Sequence, residues 1–155
     1  MKALQSLTEL FKAHITDAKN LTIWAESGAM FSAQGKDVDG FDIEYTAVID
    51  MQDVAIQPHI LFMHLVIWFN QYDPDRLSKG LPFPTFAAQL LDDGKCDIRL
   101  KVDLREEFSL EEHEQGNWQQ NGTRFRCGSD FEQLANVDDL NDLVHFIGYQ
   151  DDLPC

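Results

Sequence analysis

The sequence predicts an α+β fold, an antiparallel or mixed sheet of about five strands with helices packed on one face. Three stretches predict it. Residues 41–52, FDIEYTAVIDMQ, place Phe41, Ile43, Tyr45, Ala47, Ile49 and Met51 on one side of an extended chain. Asp42, Glu44, Thr46, Asp50 and Gln52 fall on the other, with Val48 the one apolar exception. Alternation with period two marks a strand with one buried face. Residues 95–104 repeat the pattern, with Cys96, Ile98, Leu100, Val102 and Leu104 against Lys95, Asp97, Arg99, Lys101 and Asp103. Between them, every residue from Ile60 to Phe69 except His64 is apolar, which reads as a helix that must be covered on most sides.

Taken in order, residues 1–16 carry Leu4, Leu7, Phe11 and Ile15 at helical spacing, joined by Ala3 and Leu10. Residues 21–26, LTIWAE, read as a strand, Ser27-Gly28 as a turn, and residues 29–34 as a returning strand, together a hairpin. Residues 35–40 are a polar loop bounded by glycines. After the long strand, Asp53 offers a cap and Pro58 suits the first turn of the apolar helix. Gln57, His64 and Gln71 lie at heptad spacing and form one narrow polar stripe. Asp73-Pro74-Asp75 ends this helix, because proline disfavours helical geometry in the residue before it.

Residues 73–84 form an irregular loop with Pro74, Pro82 and Pro84, and residues 85–91 read as a strand. Asp92-Asp93-Gly94 is a hairpin signal leading into the second alternating strand. Its basic residues, in an acidic chain, are placed to guard an exposed sheet edge. Residues 107–122 are polar and are expected to loop out, with a short strand near 123–127. Residues 131–147 place Leu140, Leu143, Val144 and Ile147 at helical spacing behind Asp138 and Asp139, and the final residues read as a loose tail.

Composition excludes several functions. Asp and Glu number 27 against 12 Lys and Arg, a net charge of −15. Such a balance does not neutralise phosphates, so a DNA- or RNA-binding module is disfavoured. The run at 60–69 falls well short of the roughly 20 apolar residues a membrane span needs. The opening residues are amphipathic and lack the apolar core of a signal peptide, so a soluble intracellular protein is expected. Cys96, Cys127 and Cys155 form no CxxC pair and read as free thiols.

No catalytic or metal-binding motif stands out. His59 and His64, five apart, point about 140° away from each other on a helix, against the spacing of four that a zincin pair uses. Glu111, Glu112, His113 and Glu114 read as a solvated run beside Gly116, and Asp92 and Asp93 as turn residues. Trp68, Phe69 and Tyr72 crowd one helix end, either as ordinary core or as a protein contact. The expectation is a protein without catalytic residues, metal or cofactor.

The opening MKALQSLTEL, the strand FDIEYTAVIDMQD, the helix end HLVIWFNQYDPDRL and the pair FAAQLLDDGKCDIRLKVDLREEF resemble the phage tail completion protein R family of contractile-tailed temperate phages and prophages. Met1, Lys2, Leu4, Ser6 and Leu7 match its opening, Glu44-Tyr45 its long strand, and Trp68 and Pro74 its helix-to-loop passage. Phe86, Leu90, Leu91, Asp92, Asp97, Ile98 and Leu104 match its second hairpin. The likeness runs to about residue 108, which divides the chain into a tail-terminator-like core, 1–108, and an acidic extension, 109–155, packed on the same domain.

The resemblance implies a structural protein that caps the head-proximal end of the tail and permits head–tail joining. Proteins of this kind form rings, commonly hexamers. The implied partners are further copies of the chain, tail tube, sheath or head-completion proteins, with no membrane, and the acidic balance adds the expectation that DNA passes through the ring without specific binding. The implied locations are the host bacterial cytoplasm during assembly and then the virion tail. The expected interface residues are Trp68, Phe69 and Tyr72 on the apolar helix and Arg99 and Lys101 on the second alternating strand. Two other readings are an acidic imitation of DNA that binds a DNA-handling partner, and a metal-dependent hydrolase built on residues 111–114.

Overall fold

The computed structural model describes residues 1–14, 18–32 and 39–131. Two α-helices, α1 (Lys2–His14) and α2 (Pro58–Tyr72), pack on one face of a curled antiparallel sheet. Its strands are β1 (Leu21–Phe31), β2 (Gly40–Val54), β3 (Thr85–Leu90), β4 (Cys96–Glu112), β5 (Trp118–Gln120) and β6 (Thr123–Ser129). They run in the order β1-β2-β4-β6-β5, with β3 beside the first half of β4. All described pairings are antiparallel. The sheet therefore forms α+β architecture with six strands.

Both alternating strands lie at the centre. β2 and β4 pair over nearly their whole length, with Tyr45 opposite Leu104, Ala47 opposite Val102 and Ile49 opposite Leu100. One phase of each strand is buried, in a core that also takes Leu7 and Phe11 from α1 and Leu61, Leu65 and Trp68 from α2. Burying each large aliphatic or aromatic side chain stabilises the fold by about 1.5–3 kcal/mol. Val48 is buried on the other face, flanked in register by Trp24 and Lys101. At the start of β2 the backbones come so close that a Cβ on Gly40 would lie 2.1 Å from the Phe108 carbonyl oxygen. Only glycine fits there, and it lets Phe41 and Phe108 stack at 4.9 Å.

Four local expectations are corrected. Residues 21–26 and 29–31 are not two strands of a hairpin but one strand, β1. Ser27 takes a positive φ of 53° and the register slips between Glu26 and Ala29, so the predicted turn is a β-bulge. β1 pairs with β2 instead, because β2 is long enough to oppose all of it. Asp53 does not cap α2. It sits at a second bulge with a φ of 54°, and its carboxylate pairs with Lys95 at 2.8 Å. Gln57 occupies the cap position without a side-chain bond, and Pro58 lies in the first turn.

Residues 107–122 do not loop out. β4 continues to Glu112, and β5 and β6 form a hairpin turned by Asn121-Gly122, whose φ values are 51° and 84°. The polar character is that of an outlying part of the sheet, where Glu111 faces Arg126 in register and binds its guanidinium at 2.8 Å. Finally, Arg99 and Lys101 do not guard an edge. β4 has β2 on one side and β3 and β6 on the other, so these charges project from an open sheet face. The helical pattern of 132–147 and Cys155 lie outside the described residues.

Candidate functional site

The apolar helix α2 divides its surface three ways. Leu61, Leu65 and Trp68, at i, i+4 and i+7, point into the core. Trp68 is only 4% exposed, and its indole N–H donates to Ser6 Oγ at 2.9 Å, which ties α2 to α1. Phe69 and Tyr72 are half-buried beside it, each ring centroid 5.5 Å from that of Trp68. Phe131, the last described residue, stacks on both Trp68 and Tyr72, at 6.0 and 5.3 Å. Sequence spacing puts Gln57, His64 and Gln71 on one line, and the structure sets His64 against α1, with its ring 3.6 Å from that of His14.

That stacked pair predicts a pH response. His14 is an exposed residue, and partial desolvation of its ring, with the neighbouring His64 second, holds its pKa below the ordinary 6.5. The folded state therefore prefers neutral His14. The stability this contributes is present above about pH 6.5 and is lost as pH falls through the lowered folded value. On moving from about pH 7.5 to about pH 5.5, the melting temperature of the native chain should fall more than that of His14→Gln. Equal shifts in thermal melts would refute the coupling.

Among the described residues the third side of α2 is uncovered. Ile60, Met63, Val66 and Ile67 are all exposed, with Met63 at 61%. Next to them Phe62 meets Phe86 of β3, with ring centroids 4.6 Å apart. Phe69, Leu77, Phe83 and Pro84 complete the apolar walls of a groove between α2 and β3. The far wall is the segment 73–84, pinned from beneath by Arg76. Its guanidinium binds Asp73 at 3.0 Å, donates to the Asp103 and Pro82 carbonyls, and lies 4.9 Å from the Phe69 ring centroid.

β3 extends this open surface. All six of its residues are exposed, although it pairs fully with β4. In register, Phe86, Ala88 and Leu90 stand opposite Leu100, Ile98 and Cys96, so they point to the helix side of the sheet. The helices do not reach far enough to cover them, and Leu90 is 78% exposed. Neither α2 nor β3 contains an Asp or Glu, in a chain with 27. The excess apolar area of α2 was legible in the sequence, and its continuation onto β3 is the feature that sequence reasoning missed.

The opposite face of the sheet is polar. Arg99 binds Asp50 at 2.8 Å, Lys101 binds Glu26 at 2.9 Å, and Arg105 bridges Asp42 and Glu44. The hydrogen bond from Arg99 holds the Asp50 carboxyl below its ordinary range and raises Arg99 in turn. Exposed pairs of this kind are screened by solvent and contribute little to stability. Of the expected interface residues, Trp68, Phe69 and Tyr72 thus cluster on the helix side. Arg99 and Lys101 lie across the sheet from them.

Little here is arranged for chemistry. Glu111 is engaged by Arg126, and His113 Nδ1 accepts the Gln115 backbone N–H at 3.1 Å. Among the described residues no three His, Cys, Asp or Glu side chains are grouped to hold a metal. Burial raises the thiol pKa of both Cys96 and Cys127, away from reactive thiolate. No helix among the described residues is long and apolar enough to cross a membrane.

An α+β module that exposes a long apolar helix beside an uncharged strand, and groups no catalytic residues among those described, has the form of a protein that works by contact. The chain belongs to the P2 phage tail completion protein R (GpR) family, whose model matches residues 1–125. It is thus a phage tail completion protein, of a family with structural and not enzymatic roles in virion assembly. The match extends past residue 108 to take in β5 and the first residues of β6. No curated protein and no solved structure matches the chain.

Proposed function

We propose that this protein caps the head-proximal end of the tail, stops its growth and makes the end competent to join the head. It does so as a ring of copies, without catalysis, in the host bacterial cytoplasm during assembly, and remains in the virion tail. Its partners are tail tube, sheath or head-completion proteins. The family match over residues 1–125 is the observation that carries this reading. The acidic balance supports a ring through which DNA slides unheld, because carboxylates repel phosphate. The ionic ladder of Arg99, Lys101 and Arg105 with their carboxylate partners speaks against an imitation of DNA, which needs unpaired carboxylates in rows.

Electron microscopy of particles made without this protein tests the reading. Overlong or headless tails support it. Tails of normal length joined to heads would refute it.

A further inference from the structure

The ring reading leaves open how copies of a chain with net charge −15 meet. Two such copies repel over most of their surface, so contact favours a place without carboxylates. The exposed faces of α2 and β3 carry no Asp or Glu and are largely apolar, and the one carboxylate in the groove between them, Asp73, is buried and paired with Arg76. β3 also has an open backbone edge, since β4 is its only partner among the described residues. Edge strands are usually guarded by charge, proline or a bulge, and β3, with the sequence TFAAQL, has none of these.

A ring needs a second, different surface to receive the first. β1, at the other end of the strand order, provides one. Its last residues, Met30 and Phe31, are exposed and apolar, and its one acidic residue, Glu26, is already paired with Lys101.

We propose that copies of this chain join head-to-tail, the α2–β3 surface of one protomer seating on the β1 edge of the next. Strand addition at the edges supplies backbone hydrogen bonds and fixes the register. Phe86, Leu90 and Met63 supply apolar burial on one side, and Met30 and Phe31 on the other. This inference rests on the ring reading and assigns its two faces.

Cysteine cross-linking in assembled tails tests it, with the full chain in a Cys96→Ala/Cys127→Ser/Cys155→Ser background, because Cys96 stands opposite Leu90 in register and would otherwise capture a cysteine placed there. Leu90→Cys combined with Met30→Cys should give a ladder of cross-linked species under mild oxidation, whereas either alone should give none. A dimer from Leu90→Cys alone would overturn the proposal, because it indicates a symmetric β3–β3 contact. An absence of cross-links in the paired variant would overturn it too. With Cys155 kept, an intramolecular disulfide from Met63→Cys to Cys155 would overturn it by assigning α2 to the chain's own C-terminal segment.

Charge substitution gives an independent readout. Met63→Asp and Leu90→Asp alter exposed side chains, so the fold should survive, as circular dichroism would check. Each should lower incorporation into tails by about tenfold or more, the effect of about 1.4 kcal/mol per contact, while Gln119→Asp on β5 should not. Full complementation of a deletion by both variants would overturn the proposed interface, even where the deletion itself gives overlong tails. Normal tails in the deletion would instead remove the ring reading beneath it.

Discussion

Arg76→Ala is expected to destabilise the chain by about 3 kcal/mol or more, the cost of breaking a buried ion pair. Arg76 and Asp73 are each 6% exposed, although the sequence places both in an irregular, proline-rich loop. All three guanidinium nitrogens donate. Nη1 donates to Asp73 at 3.0 Å and to the Asp103 carbonyl at 2.8 Å, while Nε and Nη2 share the Pro82 carbonyl at 3.0 and 2.6 Å. Truncation leaves the Asp73 carboxylate with Lys79 alone, at 3.1 Å, and strips both carbonyls of their donor.

Arg76→Lys should recover only part of the loss, because an ammonium has no planar fork to span three acceptors. Asp73→Asn in the Arg76→Ala background should recover some stability, since it removes the stranded charge. Urea denaturation midpoints with a constant slope would measure all three. A loss below about 1 kcal/mol for Arg76→Ala would mean that the site relaxes to admit water. The consequence reaches the surface, because the same guanidinium supports Phe69 and the wall of the α2–β3 groove.

How far the sequence foretold this molecule depends on which signal each element carried. β2 and β4 were legible because one face of each is buried, and period-two alternation is the direct imprint of that burial. α2 was legible from its apolar run and Pro58. β1 was broken in two because Ser27-Gly28 has the residue types of a turn, and a bulge uses the same positive φ without reversing the chain. β5 and β6 lie where the sheet buries little, so hydrophobic pattern could not reveal them. Asn121-Gly122 did carry a hairpin signal that the surrounding polarity masked.

The candidate surface was half legible. The excess apolar area of α2 was evident from composition, but its extension onto β3 was not. TFAAQL reads equally well as a covered strand, and only the reach of the helices decides that it is open. Trp68 illustrates the converse. Nothing in its neighbourhood distinguishes an anchor turned outward from one turned inward, and Ser6, which binds its indole, is 62 residues away. The stacking of His14 on His64 is equally a product of tertiary structure.

Glu106 shows where the alternating pattern and residue chemistry conflict. It continues the buried phase of Cys96, Ile98, Leu100, Val102 and Leu104, and it is 2% exposed. The pattern prevails because the carboxylate finds two donors. One oxygen accepts the Tyr45 hydroxyl from β2, and the other accepts the Lys2 backbone N–H at 2.7 Å. Lys2 is the first residue of α1, which has no acidic residue of its own in its first turn. Glu106 therefore caps that helix from across the fold. Burial first, and then the bond to Glu106, raises the Tyr45 pKa above its ordinary value, so the phenol remains a donor.

Glu106→Leu is expected to cost about 2–4 kcal/mol, by leaving the Tyr45 O–H and the Lys2 N–H without their acceptor together. Tyr45→Phe should cost about 1–2 kcal/mol, since the carboxylate keeps Lys2. In the double variant the orphaned hydroxyl is gone, so the combined loss should fall short of the sum by about 1 kcal/mol or more. Additive losses in a denaturation double-mutant cycle would refute the coupling. A normal amide-exchange rate at the start of α1 in Glu106→Leu would refute the capping role, because an uncapped first turn frays before the fold as a whole opens.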